Sequence, residues 1–256
     1  MSGGSEAITV ARRALVCLDL TDLDPDSDAE AIDDLCTRAQ TPHGFVAAVC
    51  VWPRLADRAA EALNRTGIKV ATVVNFPGGD GAPADAAAEA EEALANGADE
   101  IDVVVPYRRL SAGEPEAVTE LVAAVRKASG HATLKAILET GALTDAGEIA
   151  LASERALEGG ADFLKTSTGK IAAGAAPDAA ETILETIRRL GSGAGLKVSG
   201  GVRTVADAGT YLDLADRVMG TGWAGPKHFR IGASGLLSAL LAELEGTDPE
   251  PGDDDY

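Results

Sequence analysis

Apolar, β-branched segments alternate with alanine-rich amphipathic segments along almost the whole chain, and this alternation restricts the folds available to it. Strands that alternate with helices favour a parallel sheet. Eight strand–helix units of about 30 residues each account for the 256 residues. The sequence therefore predicts an α/β fold, a single (β/α)8 TIM barrel. A doubly wound open sheet is the alternative, disfavoured because no Gly-x-Gly-x-x-Gly lies between the first strand and the first helix.

The predicted strands comprise residues 14–20, 45–51, 69–76, 101–105, 133–139, the segment around Lys165, 195–199 and 230–233. The predicted helices comprise residues 28–39, a segment that begins at Pro53, 84–96, 115–128, a segment with Thr144 as N-cap that ends near Gly159, 177–190, 204–214 and 234–244. Residues 1–245 are thus expected to form one catalytic barrel domain. Residues 246–256 are acidic and are expected to form a mobile tail.

The formal net charge is −19, which argues against nucleic acid and anionic membranes as partners because both would be repelled. Only seven of the 22 basic residues are lysines. A surface rich in acids and poor in lysine is favoured in a salt-rich cytoplasm, where salt screens the self-repulsion. We treat this halophilic character as a hypothesis.

The three cysteines are odd in number and lack a C-x-x-C spacing, which favours reduced thiols in a cytoplasmic protein. The three histidines are scattered, so we expect no metal site. No apolar segment is long enough to span a membrane. The apolar segment after Arg13 is interrupted by Asp19, which indicates a strand rather than a signal peptide.

A lysine, Lys165, lies inside the apolar segment that begins at Ala161. A buried ammonium must find a counter-charge or lose its proton. An uncharged buried amine is a nucleophile that can form a Schiff base with a carbonyl. The alternative is a lysine whose stem crosses the core while its ammonium reaches a carboxylate at the surface.

Other charged residues lie on predicted strands and would meet Lys165 inside a barrel. Lys197 lies on the next strand, and two neighbouring ammoniums repel, so the more desolvated one loses its proton near neutral pH. Asp102 lies among valines on the fourth strand, and Asp19 lies near the end of the first. Asp102 and Lys197 could relay protons through water. A structural salt bridge or a helix cap is the alternative for each acid alone, but packing does not readily explain all four residues together.

Two glycine-rich segments follow the seventh and eighth predicted strands. Gly200 and Gly201 lead through Arg203 into a helix, and Gly232 leads through Ser234 into the next. Glycine allows backbone N–H groups to approach an anion, and barrels commonly hold phosphate at these two loops. We therefore expect a phosphate site here, with ordinary glycine turns as the alternative.

Several segments resemble the deoxyribose-phosphate aldolases, which are class I aldolases on a TIM barrel, and the resemblance extends roughly from Leu15 to Leu244. Its most specific motifs are Lys-Thr-Ser-Thr-Gly at 165–169 and Lys-x-x-Gly-Gly-Val-Arg at 197–203; the others lie at 18–21, 75–77, 97–104, 135–140 and 230–234.

The resemblance implies a role for each matched residue. Lys165 would form the Schiff base, Lys197 would lower its pKa, Asp102 would act as acid and base through a water, and Asp19 and Lys135 would support this network. The residues that would bind substrate and its phosphate are Thr168, Gly169, Lys170, Gly200, Gly201, Arg203, Gly232 and Ser234. The reaction would reversibly cleave 2-deoxyribose 5-phosphate into glyceraldehyde 3-phosphate and acetaldehyde, with no metal or organic cofactor.

The partners implied are thus a small-molecule sugar phosphate and an aldehyde, and we also expect a homo-oligomer. The chain departs from the family at Val198–Ser199, where relatives often have Pro-Ala, and at Gly235, where they often have a second serine. In some members a C-terminal tyrosine enters the site, and Tyr256 has the position to do so, with an inert tail end as the alternative. Two alternative functions are a Schiff-base aldolase of ketose phosphates and a non-catalytic barrel that binds sugar phosphates.

Overall fold

The computed structural model describes residues 3–143 and 145–248. Eight parallel strands close into a barrel, so the predicted fold class is confirmed. The strands are β1 (Leu18–Thr21), β2 (Gln40–Thr41), β3 (Gly44–Phe45), β4 (Ala48–Val51), β5 (Lys69–Val74), β6 (Glu100–Val104), β7 (Thr133–Ile137), β8 (Phe163–Lys165), β9 (Gly195–Ser199) and β10 (Phe229–Ala233). Around the barrel the order is β1, β4, β5, β6, β7, β8, β9 and β10, with β10 paired to β1. The short strands β2 and β3 form a separate antiparallel hairpin.

Helices surround the barrel and cover its outward-facing side chains. They are α1 (Gly3–Val16), α2 (Ala29–Arg38), a 3-10 turn (Pro53–Leu55), α3 (Ala56–Ala62), α4 (Pro83–Ala95), α5 (Tyr107–Ser111), α6 (Glu116–Ser129), α7 (Ala146–Glu158), α8 (Pro177–Leu190), α9 (Val205–Met219) and α10 (Leu236–Glu245). The main hydrophobic core lies between these helices and the sheet. No helix among the described residues combines the length and the apolar character needed to cross a membrane.

The register of the barrel decides which side chains meet inside it. Side chains alternate between the two faces of a strand. Asp102 is paired with Lys135 on β7, and Lys165 is paired with Lys197 on β9. Residues paired in this way point to the same side, so the polar residues of neighbouring strands converge in the barrel interior.

The predicted first strand, 14–20, is wrong over most of its length. Residues 3–16 form α1, and the strand begins only at Leu18. The buried residues Ala11, Ala14 and Leu15 are spaced by three and four positions, as one face of a helix requires. Ala11 precedes the predicted segment, so residues 14–20 taken alone do not show the helical spacing and are not distinguished from a strand.

Smaller differences occur elsewhere. The predicted strand 45–51 is divided, because Phe45 belongs to the hairpin strand β3 and only Ala48–Val51 form β4. Helix α5 was not predicted, and Lys165 ends its strand instead of lying within it. The predictions for 177–190 and 195–199 are confirmed at both ends. Thr144, the predicted N-cap, and the tail residues 249–256 lie outside the described residues; Asp145 caps α7.

Candidate active site

Seven charged residues from six strands meet in the barrel interior, and we call them the charged cluster. They are Asp19, Glu100, Asp102, Lys135, Lys165, Lys197 and Arg230. Each of these residues has at most 6% of its surface exposed to solvent. Charged side chains are rarely buried unless they are paired, so this concentration is either a structural network or a functional site.

Asp102 lies at the centre of the charged cluster. Its Oδ1 accepts a hydrogen bond from Lys135 Nζ at 2.7 Å, and its Oδ2 accepts from Lys165 Nζ at 3.0 Å and from Lys197 Nζ at 2.8 Å. One carboxylate thus holds three lysines in fixed positions. The sequence predicted that Asp102, Lys165 and Lys197 would meet inside the barrel, and it left the pairing of Asp102 with Lys135 unspecified.

Asp19 is the second anchor of Lys197. Lys197 Nζ lies 2.6 Å from Asp19 Oδ2, while Arg230 Nη1 donates to Asp19 Oδ1 at 2.6 Å. Lys135 Nζ is farther away, at 3.8 Å from Oδ2. Lys197 is therefore held between two carboxylates, Asp19 and Asp102.

Glu100 and Arg230 were not predicted as site residues. Glu100 Oε2 lies 2.6 Å from Lys135 Nζ, and Arg230 Nη2 donates to Glu100 Oε1 at 2.9 Å. The available signal was spacing, because Glu100 lies two residues before Asp102 on the same strand and so points to the same face. The same signal was available for Arg230, which lies two residues before the predicted site residue Gly232 on β10.

The two lysines nearest each other differ in protonation. Burial lowers the pKa of Lys165, and the neighbouring Lys197 lowers it further, with Asp102 opposing both effects. Burial also lowers the pKa of Lys197, but Asp102 and Asp19 outweigh this and raise it well above its ordinary value. Lys165 is thus the group that gives up its proton most readily, and Lys197 keeps its proton.

Asp102 and Asp19 remain ionised. Burial raises the pKa of Asp102, but Lys135, Lys197 and Lys165 together bring it well below its usual range. The pKa of Asp19 is lowered by Lys197, Arg230 and Lys135 despite its burial. The cluster holds three carboxylates and four basic groups, so its charge is balanced when Lys165 is the uncharged amine.

The opposite side of the barrel interior is apolar, and we call it the apolar wall. It consists of Leu23, Ala48, Cys50, Ala71 and Val73, with Trp52 and Phe76 packed against it. Trp52 and Phe76 are in edge-to-face contact, with ring centroids 5.7 Å apart. The amine of Lys165 is therefore bounded by charges on one side and by hydrocarbon on the other.

The residues predicted to follow Lys165 in the substrate site have intramolecular partners. Thr168 Oγ1 donates to Glu139 Oε2 at 2.5 Å, and the backbone N–H of Lys170 donates to Thr168 Oγ1 at 3.0 Å. Lys170 Nζ donates to the carbonyl of Leu23 at 2.8 Å. Gly169 adopts a positive φ of 79°, which allows the chain to turn between Thr168 and Lys170. Lys170 thus connects the loop after β8 to the loop after β1.

The two predicted phosphate loops differ in which N–H groups are already bonded. The N–H groups of Arg203 and Thr204 donate to Asp207 Oδ2, so α9 caps its own first turn. Gly200 and Gly201, with positive φ values of 87° and 84°, precede this cap. Among the described residues, no side chain caps the first turn of α10, which follows Ser234 and Gly235. Of the two helices, α10 therefore offers the freer N–H groups to an anion.

Gly232 also has a packing role that the sequence did not indicate. A Cβ at this position would lie 2.9 Å from Lys197 Cε and 3.1 Å from Ser199 Cβ. Any larger residue would therefore displace the stem of Lys197.

Among the residues that the structure describes, no group of three or more histidine, cysteine, aspartate or glutamate side chains is arranged to hold a metal ion.

Comparisons with known proteins agree with this geometry. Residues 13–238 match the DeoC/LacD family aldolases. The chain is 48% identical over 241 residues to a deoxyribose-phosphate aldolase of Agrobacterium fabrum, covering 93% of each protein. It is also similar to a crystal structure of a Toxoplasma gondii protein described as a candidate deoxyribose-phosphate aldolase (TM-score 0.88, 28% identity, 97% and 98% coverage). A third similarity is to the tetrameric deoxyribose phosphate aldolase from Aeropyrum pernix (TM-score 0.75, 28% identity, 93% and 97% coverage).

Proposed function

Because the chain belongs to the DeoC/LacD family of aldolases and is therefore a lyase, we propose that it reversibly cleaves 2-deoxyribose 5-phosphate through a Schiff base on Lys165. The products are acetaldehyde and glyceraldehyde 3-phosphate. The observation that supports this most directly is the pair formed by Lys165, whose pKa is lowered by burial and by Lys197, and the protonated Lys197 beside it.

In the first step the amine of Lys165 attacks C1 of the open-chain sugar phosphate. The carbinolamine loses its hydroxyl as water, which requires one proton, and an iminium ion forms. Lys197 is the proton source closest to hand, since it shares Asp102 Oδ2 with Lys165. Asp102 then lies beside the iminium, where its negative charge stabilises the new cation.

In the second step the bond between C2 and C3 breaks. The C3 hydroxyl loses its proton and becomes the aldehyde of glyceraldehyde 3-phosphate, while the electron pair moves into an enamine on Lys165. A water held by Asp102 and Lys197 accepts this proton and returns it to C2 of the enamine. Hydrolysis of the resulting iminium releases acetaldehyde and restores the amine.

The phosphate of the substrate binds at the loops after β8, β9 and β10 in this proposal. The free N–H groups at the start of α10, the hydroxyl of Ser234 and the backbone at Gly200 and Gly201 are the groups that support this placement. Thr168, Gly169, Lys170, Arg203 and Gly232 remain proposed members of the substrate site. The apolar wall suits the methyl group of acetaldehyde because it provides hydrocarbon contacts. Burial raises the pKa of its thiol, Cys50, so this thiol competes poorly with Lys165 for the aldehyde.

We further propose that the enzyme is cytoplasmic and homo-oligomeric. The three cysteines are free and buried, as in a reduced compartment. The Aeropyrum pernix relative is a tetramer.

Reductive trapping tests the Schiff base. The protein is incubated with acetaldehyde and borohydride, and the modified peptide is located by mass spectrometry. An ethyl adduct on Lys165 is expected, with none in a Lys165→Leu variant. A wild-type protein without an adduct would refute the enzyme and favour a sugar-phosphate-binding barrel.

The donor identifies the aldolase class. Aldol addition to glyceraldehyde 3-phosphate is measured with acetaldehyde and with dihydroxyacetone phosphate as alternative donors. Acetaldehyde is expected to be the productive donor, because the apolar wall offers hydrocarbon contacts to a methyl group rather than groups that would bind a second phosphate. Preference for dihydroxyacetone phosphate would indicate an aldolase of ketose phosphates.

A further inference from the structure

Glu100 and Arg230 form a buried ion pair that the proposed reaction does not use. Glu100 is 3% exposed and Arg230 is 6% exposed. Arg230 Nε also donates to the carbonyl of Pro226 at 2.6 Å, and its guanidinium lies 5.6 Å from the ring centroid of Phe163. These contacts fix the guanidinium on three sides.

The pair contacts both arms of the catalytic network. Glu100 lies 2.6 Å from Lys135, which in turn donates to Asp102 at 2.7 Å. Arg230 lies 2.6 Å from Asp19, which in turn holds Lys197 at 2.6 Å. Glu100 and Arg230 thus support Asp102, which contacts the Lys165 amine, and Lys197, which lies beside that amine. They do so without contacting the amine themselves.

Arg230 also supplies the one positive charge in the charged cluster that does not depend on pH, because an arginine keeps its proton at all ordinary pH values. With Arg230 present, three carboxylates are balanced by Arg230, Lys135 and Lys197. Without it, the same carboxylates would face only the three lysines. Lys165 would then take up a proton to restore the balance and would lose its nucleophilicity.

We propose that Glu100 and Arg230 are positioning residues of the active site, which hold Lys135 and Asp19 in place and provide the fixed positive charge that leaves Lys165 an uncharged amine. This inference rests on the proposed Schiff-base function. Lys165 is faced by Lys197 on β9, Asp102 on β6 and Cys50 on β4. Lys197 is faced by Asp102, Cys50, Asp19 on β1 and Lys135 on β7. Glu100 and Arg230 act on these two lysines through Lys135 and Asp19. The buried inward residues of β5, Ala71 and Val73, are apolar.

The test is the pH dependence of borohydride trapping with acetaldehyde in four proteins. They are the wild type, Arg230→Gln, Glu100→Gln and the double variant. In Arg230→Gln the midpoint is expected to move up by at least about one pH unit, so the adduct formed at pH 7 falls about tenfold and is recovered at high pH. Glu100→Gln removes an anion instead, so no alkaline shift is expected. The double variant removes one charge of each sign, and its midpoint should return to within about half a pH unit of the wild type.

A purely structural role gives a different pattern. The adduct would then decrease in all three variants at every pH, most in the double variant, and this result would overturn the proposal, as would an unshifted midpoint in Arg230→Gln. If Arg230→Gln does not fold, the proposal is tested by comparing the trapping midpoints of Glu100→Gln and the double variant. The midpoint of Glu100→Gln is then expected at lower pH than that of the double variant, and equal midpoints would overturn the proposal. Absence of an adduct in the wild type would instead remove the Schiff-base function itself.

Discussion

The two sides of the barrel interior differ in chemistry although they share one architecture. The charged cluster occupies β6 to β10 and β1, whereas the buried inward residues of β4 and β5 are alanine, cysteine and valine. Asp102 and Val73 are paired in register on adjacent strands, so the boundary between the two sides lies between β5 and β6. The comparison shows how one amine can be desolvated by hydrocarbon on one side and contact charged groups on the other.

The division explains why Lys165 loses its proton more readily than Lys197. Both ammoniums are buried, but Lys197 is held between two carboxylates, and Lys165 contacts only one of them, through an oxygen that Lys197 shares. Desolvation therefore dominates at Lys165, while charge pairing dominates at Lys197. The following predictions test this contrast, beginning with the largest expected effect.

Lys165→Leu should remove the nucleophile while leaving the charge balance of the cluster intact. We expect kcat to fall by at least about 10⁴-fold and the free energy of unfolding to change by less than about 2 kcal/mol. Steady-state kinetics and urea denaturation measure the two quantities. Turnover within a few-fold of the wild type would refute the role of Lys165.

A matched pair of variants compares the two sides directly at paired positions. Asp102→Asn should cost about 3 to 5 kcal/mol, because it leaves buried lysines without their shared carboxylate. Val73→Ala on the apolar wall should cost about 1 to 3 kcal/mol, the cost of a small cavity. Both values come from urea denaturation at one pH. Equal costs would show that the cluster adds no electrostatic constraint beyond packing.

The pH dependence tests the lowered pKa of Lys165. As the pH falls through this pKa the amine is protonated, so the trapping rate should fall about tenfold per pH unit below it. Between this pKa and about 10.5, the amine of Lys165 is protonated in the unfolded chain but not in the folded protein. The free energy of unfolding that Lys165 contributes therefore increases as the pH rises through that range. Val73→Ala should have the same midpoint as the wild type. A rate that keeps rising to about pH 10 would indicate an ordinary lysine.

Salt separates the surface from the interior, with the smallest expected effect. Because the net charge is −19, screening should stabilise the protein, by about 1 to 2 kcal/mol between dilute buffer and molar potassium chloride. The buried cluster is shielded from salt, so the cost of Asp102→Asn should be the same at both concentrations. Equal wild-type stability in the two solutions would contradict the halophilic hypothesis.

The sequence predicted much of the barrel because the signals for it are local. Strand 195–199 and helix 177–190 were located at both ends from the alternation of apolar and amphipathic segments. The same approach failed at α1, where the apolar residues of a helix and of the following strand are continuous in sequence. Thr204 and Asp207 had the spacing of a capping box, a signal that was present but was not used to judge the phosphate loop.

The sequence by itself determined the barrel, the inward placement of Lys165, Lys197 and Asp102, and the expected family. These follow from strand alternation and from motifs that are short and contiguous. Only the tertiary structure decided that Arg230 pairs with Glu100, 130 residues away in sequence, and that Lys197 is shared by Asp19 and Asp102. The physical reason is that these bonds depend on the register of strands across a closed barrel, and closure brings together β1 and β10, the first and last strands of the chain.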